Sequence, residues 1–413
     1  MTITRARVGA AVAVGGLPDR WQTVRFDQMA QNITVRVDNP SEAGVERYVG
    51  LEHLDPDTLR IRRWGTPGDV EATKLRFQPG DIIFGRRRAY QRKLAVADFE
   101  GICSAHALVL RAREETVAPE FLPFFMQSEA FFQRAMAISV GSLSPTINWT
   151  TLAQQEFAIP PLGEQRRIAE LLWAAEESAF ASAMVAVSVQ RCRIALSSQA
   201  FEPTGKRDEG QDLKLADVLV YASDGPFGSK LKTEHYAAAG ARVVRLQNIG
   251  SGTFNDNDRS YISESYYRDL NRYALHSGDI IVAGLGDEKH PVGRACKVPA
   301  HLGPSVNKAD CFCLRGDTSL IQQDYLLYFL NSPHAQHQIR QSAQGTTRLR
   351  INIGNLKRIS IQVPDHDTQS RICRAFAALD EAGASSDSDI ISKKAVVVGL
   401  RESLLGVTRR SNV

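Results

Sequence analysis

Apolar and polar positions along this chain change their period several times, and they do so twice in the same order. Short apolar and β-branched runs, such as "GDIIFG" from Gly80, "HALVLR" from His106 and "FCLR" from Phe312, are bounded by Gly, Pro or Asp and predict strands. Aromatics at helical spacing follow in "PEFLPFFMQSEAFFQRAM" from Pro119 and "QQDYLLYFLNSPHAQHQI" from Gln322, predicting a helix whose aromatic stripe lies in a core. Each set then closes on a long amphipathic stretch. In the first, Ile168, Leu172, Ala175, Ala179, Ala183 and Ala186 share one face at spacings of three and four. In the second, Ile372, Phe376, Leu379, Ile390, Val397, Leu400 and Leu404 do the same. Helices of about 35 residues, roughly 50 Å long, are expected there. The narrow Ala-rich seam suits packing of one against the other. The stretch "GASSDSD" from Gly383 is poor helix material and predicts a weak point in the second.

The recurrence extends to the residues themselves. "VRFDQMAQN" from Val24 answers "KLADVLVYA" from Lys214, and "VGLEHLD" from Val49 answers "VRLQNIG" from Val244. "FQPGDIIFG" from Phe77 answers "LHSGDIIVAG" from Leu275. Phe121 to Leu172 aligns without a gap on Tyr325 to Phe376, with eleven identities in fifty-two positions, where unrelated segments share about three. The offset grows from about 190 to 204 along the chain, which places insertions in loops of the second copy. A unit of about 200 residues is too long for a solenoid repeat, so the chain holds two domains.

Composition narrows the picture only a little. With 413 residues and a net charge of +4, nucleic acid is permitted but a basic surface must come from local clustering. The six cysteines are scattered. Cys311 and Cys313 form a C-x-C pair without a second pair at zinc spacing, so they read as small buried hydrophobes in a reducing cytosol. The nine histidines form no metal cluster, and His235, His290 and His301 read as solvated loop residues. No uninterrupted apolar run reaches the length of a membrane span. The N-terminal "MTITRARVGAAVAVGGLP" is short and weakly hydrophobic for a signal peptide, and a flexible tail is the better reading.

Two globular units, each followed by proline, a polar link, Gln-x-Arg-Ile and a long helix, resemble HsdS, the specificity subunit of type I restriction-modification systems. The resemblance runs from Trp21 to Arg409. Its elements are Gly-Asp-Ile-Ile at Gly80 and Gly278, "GSLSPTINWTTL" and "GTTRLRINIGNL", and the helix starts "PPLGEQRRIAELL" and "VPDHDTQSRICRAF". In the second helix start, Thr368 stands where the family-like residue is Glu. The resemblance implies a mixed α/β (α+β) fold of two homologous target recognition domains with pseudo-twofold internal duplication, separated by two long helices pairing as an antiparallel coiled coil. The divisions expected are a flexible tail over 1–20, recognition domains over 21–160 and 205–364, a central spacer helix over 161–204, and a distal helix and tail over 365–413. Helix pairing and subunit docking fall to Ile168, Leu172, Ala175, Ala179, Ile372, Phe376 and Leu379. The implied partners are double-stranded DNA, two methyltransferase subunits and, where the system has one, a restriction subunit. The implied location is the cytoplasm. S-adenosylmethionine, with ATP and magnesium in a restricting system, would bind those partners and no cofactor this chain.

No catalytic constellation appears beside that reading. There is no Asn/Asp-Pro-Pro-aromatic element and no P-loop. Asp279, Asp287 and Lys289 imitate the carboxylates and lysine of a metal-dependent nuclease, but the first copy has "FGRRRAYQRK" at that place. Asp81 and Asp279 are therefore expected to fix a turn before a strand. The other rivals are a DNA-binding scaffold or regulator without methyltransferase partners, and a specificity chain of another phage-defence system. The densest basic run holds Arg86, Arg87, Arg88, Arg92 and Lys93 around Tyr90 with no acid among them, and is either a solvated face or a DNA contact. The second domain offers Lys230 and Lys232, Lys289 and Arg294, and Arg348 and Arg350 beside Thr346 and Thr347, where the first has the uncharged Ser142, Ser144 and Thr146. Asn148 and Asn352, shared by the copies, are expected to be structural.

Overall fold

A computed structural model describes residues 20–201 and 211–405. The expected N-terminal tail lies almost wholly outside the described residues. Within them the chain divides into two compact units, 20–182 with 388–405, and 183–387, so each long helix contributes to both.

Both units are organised around the Gly-Asp-Ile-Ile strand. Gly80 and Gly278 take φ values of +88° and +86°, a left-handed turn that glycine enters without strain. The next aspartate then locks the turn. Asp81 accepts from the Gln78 amide at 2.8 Å and pairs with Arg111 at 2.7 and 3.0 Å. Asp279 accepts from the His276 amide at 2.8 Å and pairs with Arg315 through two 2.7 Å bonds. The turn role expected from sequence is correct, and the ion pair to a neighbouring strand adds to it.

In the first unit the antiparallel order is Ala30–Ile33, Ala107–Ala112, Ile82–Gly85, Leu94–Val96. In the second it is Leu219–Ser223, Cys311–Gly316, Ile280–Ala283, Ala295–Lys297, with Ile281 opposite Cys313 and Cys296. A further four-stranded sheet in each unit ends in a parallel pair: Tyr48–Val49 with Gly101–Ser104, and Ala241–Val244 with Ser305–Asn307. A two-stranded clasp, Gln22–Arg25 with Glu156–Ile159 and Gln211–Lys214 with Ser360–Val363, brings the start of each domain beside the start of its long helix.

One face of each central strand packs on the aromatic segment. Phe26, Phe124, Phe125, Phe131 and Phe157 are buried together in the first unit, and Phe312, Tyr325 and Phe329 in the second. Each expected aromatic helix is broken in two by a serine. The Ser128 hydroxyl caps the Phe131 amide at 3.3 Å, and Ser332 caps Ala335 at 3.1 Å, as helix N-cap residues do.

The repeated Gln-x-Arg-Ile has a physical explanation in the glutamine. Gln165 is fully buried; it accepts from the Ala118 amide at 2.8 Å and donates to the carbonyls of Thr116 at 3.2 Å and Pro160 at 2.8 Å. Gln369 does the same 204 positions later, accepting from the Gln322 amide at 2.8 Å and donating to Leu320 and Pro364 at 2.9 Å each. One amide side chain thus ties the first turn of each long helix to a loop of its own domain. Asp365 accepts from the Thr368 amide at 2.6 Å, so the departure at Thr368 leaves the helix start capped.

The long helices are Leu162–Phe201 and His366–Leu405, 40 residues and therefore about 60 Å each. The second is continuous through Gly383, against expectation. Contacts with the first long helix offset the weak propensity just beyond it: the Ser182 hydroxyl donates to Asp389 at 2.5 Å and accepts from Lys393 at 2.8 Å, while Asp389 and Lys393 pair within the helix at 2.7 Å. The helices run antiparallel in each unit. Ser182 donates to Asp389 at 2.5 Å in the first; in the second Arg193 pairs with Asp380 and Phe201 stacks on Phe376 at 5.9 Å.

The expected pairing residues need correction. Ile168 and Leu172 belong to the first domain's core, and Ile372 packs on the second's, whereas Phe376 lies in the second core and also stacks on Phe201 of the other helix as expected. The glutamine anchors lay the opening turns on the domain, which is why Ile168, Leu172 and Ile372 pack there. Ala179 is buried, and Ala175 and Leu379 are half-buried. An 18-residue window of the central helix has a mean hydropathy of 1.3, so by length and composition this helix is apolar enough to cross a membrane, although its apolar residues do not form one uninterrupted run. Arg193 and Ser182, bonded to carboxylates, argue for helix pairing instead, because charged groups are costly in hydrocarbon.

Candidate nucleic-acid interface

The loop leaving the Gly-Asp-Ile-Ile strand meets the segment preceding the clasp in both units. In the first, Ile147 donates its amide to the Arg86 carbonyl at 2.9 Å, and Arg87 bridges Thr146. In the second, Ile351 donates to Gly284 at 2.9 Å, and Leu285 pairs with Arg350. These are equivalent positions in the duplication.

At this place in the first domain Arg87 is exposed, donating from Nε to the Ser144 hydroxyl at 3.2 Å and from an Nη to His106 Nε2 at 3.3 Å. Arginine has only donors, so His106 accepts and its Nε2 carries no proton. Partial burial, then the charges of Arg87, Arg86 and Lys74, hold His106 below the usual histidine range. Arg86 is half-buried and donates to the Ala105 carbonyl at 3.2 Å. Arg88, at φ +55°, and Tyr90 are exposed. Among the described residues no carboxylate pairs with Arg86, Arg87 or Arg88.

At the equivalent place in the second domain the cation sits on the other strand and is paired. Arg350 binds Asp310 at 2.7 Å, and Asp310 is the counterpart of His106. Arg348 and Lys289 are exposed. A cavity of 680 Å³ there is lined by Lys289, Arg340, Thr346 and Thr347 among others.

Several expected DNA-contact residues are occupied with the fold. Arg92 pairs with Glu129 at 2.5 Å and lies 3.8 Å above the Phe132 ring. Lys93 donates to the Leu51 carbonyl at 2.7 Å. Arg294 is buried and donates to the carbonyls of Ile249 at 2.7 Å, Leu246 at 3.0 Å, Leu285 and Pro291 at 3.1 Å and His290 at 3.2 Å. Burial lowers its pKa. Lys93 and Arg294 are one position of the duplication: Gly85 donates to the Lys93 carbonyl and Ala283 to that of Arg294, and both side chains reach the equivalent leucine, 51 or 246. They hold a loop against the strand, and are scaffold. Lys232 lies 3.6 Å from Glu234; Lys230 is exposed and its carbonyl accepts from Tyr266 at 2.5 Å.

The nuclease-like set is not assembled, because Asp279 is buried and committed to Arg315. Asp287 accepts from the amides of Lys289 at 3.0 Å and His290 at 2.8 Å, and these bonds hold its carboxyl below the usual range. Cys103, Cys296, Cys311 and Cys313 are buried thiols with raised pKa values, about 12 for Cys103 and Cys296; Cys192 is exposed. Asn352 caps the Asn355 amide at 2.8 Å. Asn148 stands at the equivalent helix start without a side-chain cap. Sequence reading passed over His106 and Arg340. The first was recoverable from the 204-residue offset, which sets His106 against Asp310; the second, outside any charge cluster, had no local signal.

A duplicated α/β domain with a glutamine-anchored helix closing each copy defines a class of two-domain recognition protein. The family described as "Type I restriction modification DNA specificity domain" matches residues 65–179 and 227–391, one stretch in each copy, and this chain belongs to it. Its relatives include the type I restriction enzyme EcoDI specificity subunit of Escherichia coli, 26% identical over 241 residues, covering 56% of this chain and 52% of that protein. The chain thus spans about half the length of the EcoDI protein in that match. The EcoKI specificity subunit of Escherichia coli K12 is 22% identical over 88% of this chain and 84% of its own length. Among solved structures, the type I restriction-modification S subunit from M. genitalium aligns over 95% of this chain and 98% of its own, with a TM-score of 0.58 and 14% identity. A chain from work on assembly and conformational transition of the type I R-M system aligns over 94% and 98%, with a TM-score of 0.57 and 18% identity. These structures share the fold.

Proposed function

We propose that this chain is the DNA specificity subunit of a type I restriction-modification system, each domain reading one half of a split DNA sequence. The observation that carries this reading is the duplication itself, with a specificity-domain match in each copy. Two readers that share a scaffold and differ in exposed loops suit a bipartite site whose halves differ, as protein dimers suit palindromes. The arginines of the first domain and the displaced cations of the second provide phosphate and base contacts of different pattern. The paired helices serve as the docking surface for two methyltransferase chains, and for a restriction chain where the system has one. Methyl transfer, with its S-adenosylmethionine, and any ATP- and magnesium-dependent step belong to those partners.

The test is a base-modification map of host DNA with the gene intact and deleted. A split motif with a fixed gap that loses methylation on deletion is expected. An unchanged map in cells expressing the partner chains would contradict the reading.

A further inference from the structure

The duplication compares one place in the fold with itself, and the two copies differ in net charge there. We propose that Arg86, Arg87, His106 and Ser144 form a seat for a single DNA backbone phosphate in the first domain, and that the Arg350–Asp310 pair closes the equivalent seat in the second. This rests on the DNA-binding reading above and adds to it which contact is made and why one domain lacks it.

Arg87 is held by two neutral acceptors, the Ser144 hydroxyl at 3.2 Å and His106 Nε2 at 3.3 Å, so it is oriented without being neutralised. Arg86 and Lys74 add positive charge around the His106 ring with no acid between them. Two adjacent arginines with no carboxylate partner among the described residues, beside a hydroxyl and an imidazole that hold one of them, match a full negative charge with several acceptor oxygens. A guanine edge, whose acceptors are neutral, would leave most of that charge uncompensated. A phosphate oxygen reaching Arg87 also gives His106 reason to take a proton, turning Nε2 from acceptor to donor. In the second domain Asp310 already supplies the anion, bonding Arg350 at 2.7 Å.

The experiment is a salt titration of DNA binding by the full chain in its methyltransferase complex, on the duplex identified by the modification map. His106→Asp installs in the first domain the ion pair that the second domain folds with. It should reduce the magnitude of the log K against log salt slope by about 1 and weaken cognate and single-base-variant duplexes alike. Arg87→Gln should do the same while keeping its backbone bridge. The wild type should bind more tightly as pH falls through the histidine range, because the free ring is held low and a bound phosphate raises it. His106→Gln should remove that dependence. Unchanged slopes in both His106→Asp and Arg87→Gln overturn the proposal, as does a loss confined to one base position. A wild-type complex that shows no preference for the mapped duplex overturns the DNA reading instead.

Discussion

Two places in this molecule look alike in sequence and differ in what they do. Lys93 and Arg294 sit at one position of the duplicated fold, and both donate to the carbonyl of the equivalent leucine, at 2.7 and 3.0 Å. Arg87 and Leu285 also share a position, yet there the first copy has an unneutralised cation and the second an apolar side chain opposite a paired Arg350. At these two positions the cation that recurs holds the scaffold, and Arg87, which does not recur, is left without a carboxylate partner among the described residues. A protein whose halves read different sequences must keep its recognition where its copies disagree.

This division can be broken in order of expected effect. Gln165→Ala and Gln369→Ala each leave one amide and two carbonyls without their partner, and should destabilise the unit concerned by about 3–5 kcal/mol. Urea unfolding of the two variants should give similar losses, since the bonding is the same in both copies. Arg294→Ala should cost about 3–5 kcal/mol, against about 1 kcal/mol for Lys93→Ala, because the arginine donates to five carbonyls and the lysine to one. Hydrogen exchange should show the first loss confined to the second unit. Lys93→Ala should leave the salt slope of DNA binding unchanged; a fall of one unit would return Lys93 to the interface. The smallest effect is a gain: Asp310→Asn releases Arg350 and should raise the magnitude of the slope by about 1.

Much of this is legible in the sequence. The strands, the aromatic core and the duplication follow from period and alignment, and the turn role of Asp81 and Asp279 follows from Gly-Asp before a strand. What the sequence hides is who pairs with whom. Nothing near "GRRRAYQRK" announces that Arg92 will meet Glu129, or Lys93 the Leu51 carbonyl, because those partners arrive only with the fold. Helix pairing was misplaced in part, for a related reason. Ile168 and Leu172 have the spacing of a seam, and a spacing does not say whether the domain or the other helix will cover it. The weak stretch at Gly383 shows propensity yielding to context, with Asp389 bonded by Ser182 and Lys393.

The central claim is that each domain is an independent reader on a common frame. The most direct measurement is a modification map from cells whose chain carries residues 22–159 in place of residues 211–363, the clasps supplying matching junctions. The account predicts a soluble, assembled chimera that methylates a symmetric motif, with the first half-site present twice in inverted orientation. An assembled chimera that methylates the original asymmetric motif would contradict it.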